Sequence, residues 1–170
     1  MQNATIRPGS LQDLPELTEI LNYYIVNTHI TFDVQPHTPE QRRPWFNDHS
    51  DGNRYQLLVA VDHHARVLGY ASTGRFRAKE AYDTTVEASV AIHPEATGQG
   101  LGKILYGALF QAIAGQDIHR IVAGIAQPNP ASNALHQRFG FKPIGTFGQV
   151  GRKFNKYWDV LWMERPLKLV

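Results

Sequence analysis

The chain has 170 residues, 42% of them hydrophobic and 19% charged, a formal net charge of +2 at neutral pH, and no cysteine. That suits one soluble globular domain, residues 1–170, with a sizeable core. It excludes disulfides, thiolate metal sites and a cysteine nucleophile, and it leaves no basic footprint for nucleic acid. No signal-peptide pattern is visible, and no apolar run approaches the ~18 residues of a membrane span. A cytoplasmic location is therefore the default expectation, without a membrane or nucleic-acid partner.

Ala4–Arg7 reads as a short strand closed by Pro8-Gly9. Ser10 with Asp13 three residues on opens a helix whose apolar face is Leu14, Leu17, Leu21, Tyr24 and Ile25. Ile30-Thr31-Phe32 follows it in a segment of mixed polarity. Thr38-Pro39-Glu40-Gln41 is a capping box with proline at the first helical position, and it predicts a second helix through Trp45 and Phe46. Ser50-Asp51-Gly52-Asn53 is a loop. Leu57–Val61 and Val67–Thr73 are strands around the turn Asp62-His63-His64-Ala65, a hairpin. Arg75–Asp83 is polar and reads as a loop or the distorted end of a strand. Thr84–Ile92 alternates, with Val86, Ala88, Val90 and Ile92 on one face and Glu87, Ser89 and Ala91 on the other.

Beyond Pro94 the sequence turns to Thr97-Gly98-Gln99-Gly100-Leu101-Gly102-Lys103 and then to an apolar helix. Leu101, Ile104, Leu105, Ala108, Leu109, Ala112 and Ile113 form its expected buried face. Arg120–Ala126 is another strand, Pro128-Asn129-Pro130 breaks the chain, and Ala131–Phe139 is a short helix stopped by Gly140. Lys142–Val150 and Lys156–Met163 are a closing pair of strands. The order β-α-α-β-β-β-α-β-α-β-β predicts an α/β (α+β) domain with a mixed sheet of about six or seven strands and about four helices.

A strand that runs into alternating glycines and a helix N-terminus offers backbone N–H groups to a phosphate. The bland alternative is a flexible turn before a core helix. Two phosphate motifs fail on spacing. A Walker A loop ending at Gly102-Lys103 needs glycine where Thr97 stands and Ser or Thr where Ile104 stands. A dinucleotide fingerprint from Gly98 needs Gly or Ala where Lys103 stands. The eight histidines show no metal-ligand spacing.

Element order and glycine loop together resemble the GNAT superfamily of N-acetyltransferases, whose signature is [QR]-x-x-G-x-[GA]. Here Gly100 and Gly102 fit and Thr97 departs at the first position. Four separated segments resemble more closely the phosphinothricin and methionine-sulfoximine N-acetyltransferases: Thr85-Val86-Glu87, Pro128 to His136, Gly140-Phe141, and Val150 to Val160. Tyr24-Ile25 with Thr31-Phe32 also fits. The resemblance implies acetyl-CoA as cosubstrate, a small amino-acid-like acceptor, direct attack without an acyl-enzyme, and a homodimer.

It also implies roles for residues. Glu87, which alternation alone makes an ordinary solvent-facing strand residue, becomes the general base. His136 stands where related enzymes have a general acid; its alternative is a structural histidine. Val90, Ala91 and Ile92 supply main-chain groups to the pantetheine. Gly98, Gln99, Gly100, Leu101, Gly102 and Lys103 hold the diphosphate, with Asn129 and Ser132 on the pantetheine; the alternative for Asn129 is a cap. Thr31, Phe32, Arg75, Phe76, Arg77, Tyr82, Thr85, Val86 and Glu87 surround the acceptor. Arg77 could fork a carboxylate, whereas Arg75 and Lys79 suit a solvated loop. Two other readings stay open: an acceptor that is a peptide N-terminus, polyamine or aminoglycoside, and a CoA-binding module without turnover. The basic segment Arg75-Phe76-Arg77 speaks against polycations, and Glu87 with His136 against a silent module.

Overall fold

The computed structural model describes residues 4–49 and 53–168. Its strands are β1 (Thr5–Pro8), β2 (Leu57–Val61), β3 (Val67–Arg75), β4 (Thr85–Ile92), β5 (Arg120–Ala126), β6 (Lys142–Lys153) and β7 (Lys156–Pro166). Its helices are α1 (Leu14–Asn27), α2 (Pro39–Asn47), α3 (Leu101–Ala112) and α4 (Pro130–Arg138). The expected element order holds throughout. Ser50, Asp51 and Gly52 of the expected loop lie outside the described residues.

The local signals act as read. Thr38 and Gln41 exchange the two capping hydrogen bonds at the start of α2, at 3.3 and 2.8 Å. Asp13 accepts from the Ser10 N–H at 2.7 Å and takes both Arg7 guanidinium nitrogens at 2.7 Å, so it ties the entry of α1 to β1. Several boundaries differ: Leu11–Asp13 is a 3₁₀ turn, so α1 proper begins at Leu14, and β3, β6 and β7 run on to Arg75, Lys153 and Pro166.

The seven strands form one sheet in the order β1-β2-β3-β4-β5-β7-β6, and every pairing is antiparallel except β4 with β5. α1 and α2 cover one face through Leu17, Ile20, Trp45 and Phe46 on Leu57, Val59 and Tyr70. α3 covers the other, with Leu105, Tyr106, Leu109 and Ile113 on Val86, Ala88, Ile121 and Ala123. Here the sequence reading of α3 needs correcting. Ile104 is 49% exposed and Ala112 lies in solvent, whereas Tyr106 is wholly buried. The buried stripe is Leu101, Leu105, Tyr106, Leu109 and Ile113, which lie on one face at a period of 3.6.

The parallel pair is the important irregularity. β4 and β5 are in register only over Thr85–Glu87 with Arg120–Val122. Beyond that, β4 follows β3 and β5 follows β7 over its whole length. The strands diverge, and the β4 edge from Ala88 to Ile92 that faces β5 has no ladder partner. A cavity of about 820 Å³ opens in that gap.

Candidate active site

Glu87 stands where the strands part. It is half-buried and lines both the 820 Å³ cavity and a second one of about 790 Å³ bounded by Arg54, Tyr55 and Arg75. Its neighbours Val86 and Ala88 are buried in the α3 core, so alternation aims Glu87 at the opposite face. Burial raises its carboxyl above the ordinary 4.5, a hydrogen bond from the Gly124 N–H pulls it down, and the Arg77 charge pulls further; the net direction is up. A carboxylate held in this way is a stronger base than one in water.

Ala96, Thr97, Gly98, Leu101 and Gly102 line one end of the larger cavity. Gly98 and Gly100 have φ of +76° and +79°, and a Cβ on either would meet nothing within 4 Å. The first helical bonds of α3 run from Lys103 and Ile104 back to the Gly100 carbonyl. The N–H groups of Leu101 and Gly102 therefore precede the ladder and have no acceptor in the helix. Positive backbone, open space and unused donors fit a diphosphate. Gly102 has another duty: a Cβ there would lie 3.2 Å from the Leu135 side chain, so glycine lets α4 approach α3. Gln99 and Lys103 are exposed, and the Gln99 amide turns back to the Glu95 carbonyl at 3.4 Å.

Asn129 is the cap of α4, its Oδ1 accepting from the Ser132 N–H at 3.2 Å, and both residues also line the cavity. The cap and ligand readings of Asn129 are thus compatible. Val90, Ala91 and Ile92 line the cavity along the unpaired β4 edge. The Ile92 carbonyl already accepts from the Tyr24 hydroxyl at 2.6 Å, and only the main-chain groups that point away from β3 stay open to a ligand.

His136 is buried, with both ring nitrogens engaged. Nδ1 lies 2.8 Å from the Ser132 carbonyl and Nε2 lies 2.9 Å from the Tyr106 hydroxyl. A carbonyl only accepts, so Nδ1 carries the proton. Nε2 is then the bare acceptor, and the phenol donates to it. Burial lowers the pKa of His136, with the Ser132 carbonyl opposing, and the ring is neutral at pH 7. Burial, and then the Glu87 charge, drive the Tyr106 phenol far above its usual range.

At the other end, Thr31 and Phe32 line the cavity beside Tyr24 and Trp162. They are braced by the β6–β7 turn. Lys153, buried on the protein, donates to the Thr31 carbonyl at 2.7 Å, and a Cβ on Gly151 would overlap the Phe32 ring. Trp158 packs: it stacks on His29 at 4.0 Å and donates to the Lys153 carbonyl at 2.9 Å.

The basic segment splits by role. Arg75 reaches the Arg77 and Ala78 carbonyls at 3.1 and 2.9 Å and Asp83 at 3.5 Å, so it builds its own loop. Arg77 lies over the Phe76 ring at 4.9 Å, within range of Glu87, and takes part in no ion pair among the described residues. Phe76 packs on Tyr82 and on Trp162. Val86 points into the α3 core and Thr85 pairs with Arg120, and neither lines a cavity. Sequence reasoning missed Tyr106, Gly124 and Trp162. Tyr106 was left out of the expected buried face of α3, and its partner lies 30 residues away on another helix.

Residues 19–141 match the Acetyltransferase (GNAT) family. A phosphinothricin N-acetyltransferase from Streptomyces coelicolor is 53% identical over 163 residues, which are 95% of either chain. An L-methionine sulfoximine/L-methionine sulfone acetyltransferase from Pseudomonas aeruginosa is 38% identical over 165 residues, covering 97% of this chain and 95% of that one. Among solved structures, a GNAT superfamily phosphinothricin acetyltransferase from Sinorhizobium meliloti in complex with AcCoA matches with a TM-score of 0.90 at 33% identity, over 96% of this chain and 88% of that chain. With its split sheet and glycine turn, the chain belongs to the GNAT family and is an acetyl-CoA-dependent N-acetyltransferase.

Proposed function

We propose that the protein acetylates the α-amine of a small amino-acid analogue of the phosphinothricin or methionine sulfoximine kind, with Glu87 as general base. The observation that carries this reading is the position of Glu87. It is a half-buried carboxylate with a raised pKa at the parting of β4 and β5, in the same cavity as the glycine turn. An α-ammonium titrates at about 8 or above, so it is largely protonated at pH 7 and needs a base before it can attack. Glu87 takes that proton directly or through one water. The freed amine attacks the thioester carbonyl, and a β4 main-chain N–H steadies the oxyanion, a kind of contact worth about 2.7–4 kcal/mol elsewhere. Arg77 lines neither cavity but acts on the charge of Glu87, and it is the group proposed to pair with the acceptor carboxylate. The names of the relatives support the acceptor class.

Thiol release from acetyl-CoA over a panel of amines tests the acceptor. Turnover is expected on phosphinothricin, methionine sulfoximine or methionine sulfone, and turnover confined to peptide N-termini or polyamines would refute the assignment. Glu87→Gln tests the base: kcat at pH 7 falls by about 10²-fold or more with acetyl-CoA binding nearly unchanged, and recovers in part as pH rises.

We also propose a homodimer. β6 is a sheet edge whose residues Lys142–Val150 are all exposed, with Ile144, Phe147 and Val150 more than half exposed. A long apolar edge of this kind is what a monomer avoids.

A further inference from the structure

We propose that His29 is a positioning residue for the acceptor: its hydrogen bond to the Pro128 carbonyl pins one wall of the larger cavity and so sets acceptor affinity and the length of side chain admitted. The inference rests on the reading that the acceptor lies against Thr31 and Phe32, not on Glu87 as its base. Ile30, Thr31 and Phe32 line the larger cavity, and so does Asn129. His29 and Pro128, each next to one of these in the chain, are not lining residues themselves. Nε2 of His29 lies 3.1 Å from the Pro128 carbonyl. A carbonyl only accepts, so Nε2 carries the proton and donates it. The bond spans 99 positions of the chain and joins the two lining segments from outside the cavity.

The two ends of this bond are not held alike. Pro128 sits in a braced loop. The Gln127 N–H donates to the Asp159 carbonyl at 2.9 Å, the Gln127 and Asn133 amides exchange hydrogen bonds of 3.0 and 2.9 Å, and Asn129 caps α4. The connection from α1 to α2, residues 28–38, is neither strand nor helix, so no ladder holds it, and Val34 within it is 61% exposed. Lys153 fixes the Thr31 carbonyl from the β6–β7 hairpin. His29 ties the same segment to the braced loop before α4.

The ring is constrained in two ways. It stacks on Trp158 at 4.0 Å with 12° between the planes, and Trp158 is itself fixed by donating to the Lys153 carbonyl at 2.9 Å. Stacking sets the plane of the imidazole, and the Pro128 carbonyl sets the direction of Nε2 within that plane. Packing alone would need only a flat apolar ring; the donor adds a fixed distance between the two segments. A wall positioned in advance spares the acceptor the cost of ordering it. A wall that does not yield also rejects a side chain one methylene too long. Loss of the donor therefore weakens the acceptor and blunts its selection. The loop of Asn129 keeps its own hydrogen bonds, so acetyl-CoA is little affected.

The test is steady-state kinetics of full-length His29→Phe, which keeps a ring for Trp158 and loses the donor, and His29→Gln, which loses the ring and keeps an N–H of similar reach. His29→Phe is expected to raise the acceptor KM about three- to tenfold, the scale of one hydrogen bond, with the acetyl-CoA KM within about twofold. The kcat/KM preference for that acceptor over its homologue one methylene longer is expected to fall about threefold or more in the same variant. His29→Gln is expected to keep both quantities within about twofold of the wild type. An acceptor KM in His29→Phe within twofold of the wild type would overturn the proposal, as would a rise that His29→Gln shares in full. Should His29→Phe not fold, the ¹⁵N NMR signals of the wild-type ring decide: a proton on Nε2 is expected, and an Nδ1-protonated ring would overturn the bond. Wild-type turnover over the amine panel tests the acceptor class by itself. The variants are read on whichever amine the wild type acetylates, so the two readings fail separately.

Discussion

At the scale of single residues, position separates groups that composition leaves equal. Arg75 and Arg77 are two residues apart, yet one spends its donors on its own loop and the other lies over the Phe76 ring, close enough for its charge to act on Glu87. Arg77→Ala is expected to raise the acceptor KM about tenfold or more, as loss of a charge-assisted contact does, with the acetyl-CoA KM unchanged. Arg75→Ala should instead act through the Arg75–Asp83 loop and lower Tm. A comparison of both KM values and melting curves checks the split. Glu87 links activity to stability. Its folded pKa is raised, so its contribution to stability is fully present below the ordinary 4.5 and is lost as pH rises through the folded value. Glu87→Gln is therefore expected to raise Tm at pH 7 while it removes activity, and the gain should vanish below about pH 4. Melting curves across pH read it directly.

At the scale of elements, the turn before α3 works through backbone shape. Gly100 caps the helix at φ +79°, a conformation that costs a residue with a Cβ about 1–2 kcal/mol. Nothing crowds its missing Cβ, so strain and lost access to the turn are the whole effect. Gly100→Ala is expected to lower stability by about 1 kcal/mol and to raise the acetyl-CoA KM severalfold with the acceptor KM unchanged. Calorimetry and initial rates give both numbers. The three glycines looked alike in sequence, and only their surroundings tell them apart: Gly98 and Gly100 provide positive φ, and Gly102 provides room for Leu135. The β6–β7 hairpin is a second case. Its signature residues Gly151, Lys153 and Trp158 brace Phe32, Thr31 and His29, and the first two of these line the larger cavity.

At the scale of the whole molecule, the sheet order sets the site and the exposed edge. The edge strand β6 carries Phe147, 54% exposed, against Trp162 of β7. Phe147→Asp is expected to shift the protein from dimer to monomer in sedimentation at micromolar concentration, and a wild type that sediments as a monomer would refute the dimer. None of the described helices is long and apolar enough to cross a membrane. The element order, the capping of α2, the strand alternation around Glu87 and the glycine turn were all legible in the sequence, because each depends on contacts within a few residues. The gap between β4 and β5, the Tyr106–His136 pair, the different roles of Arg75 and Arg77 and the bracing of Phe32 by Gly151 were decided only in three dimensions. They depend on which strands part company and on side chains 30 to more than 100 residues apart, and no local pattern in the chain encodes such a meeting.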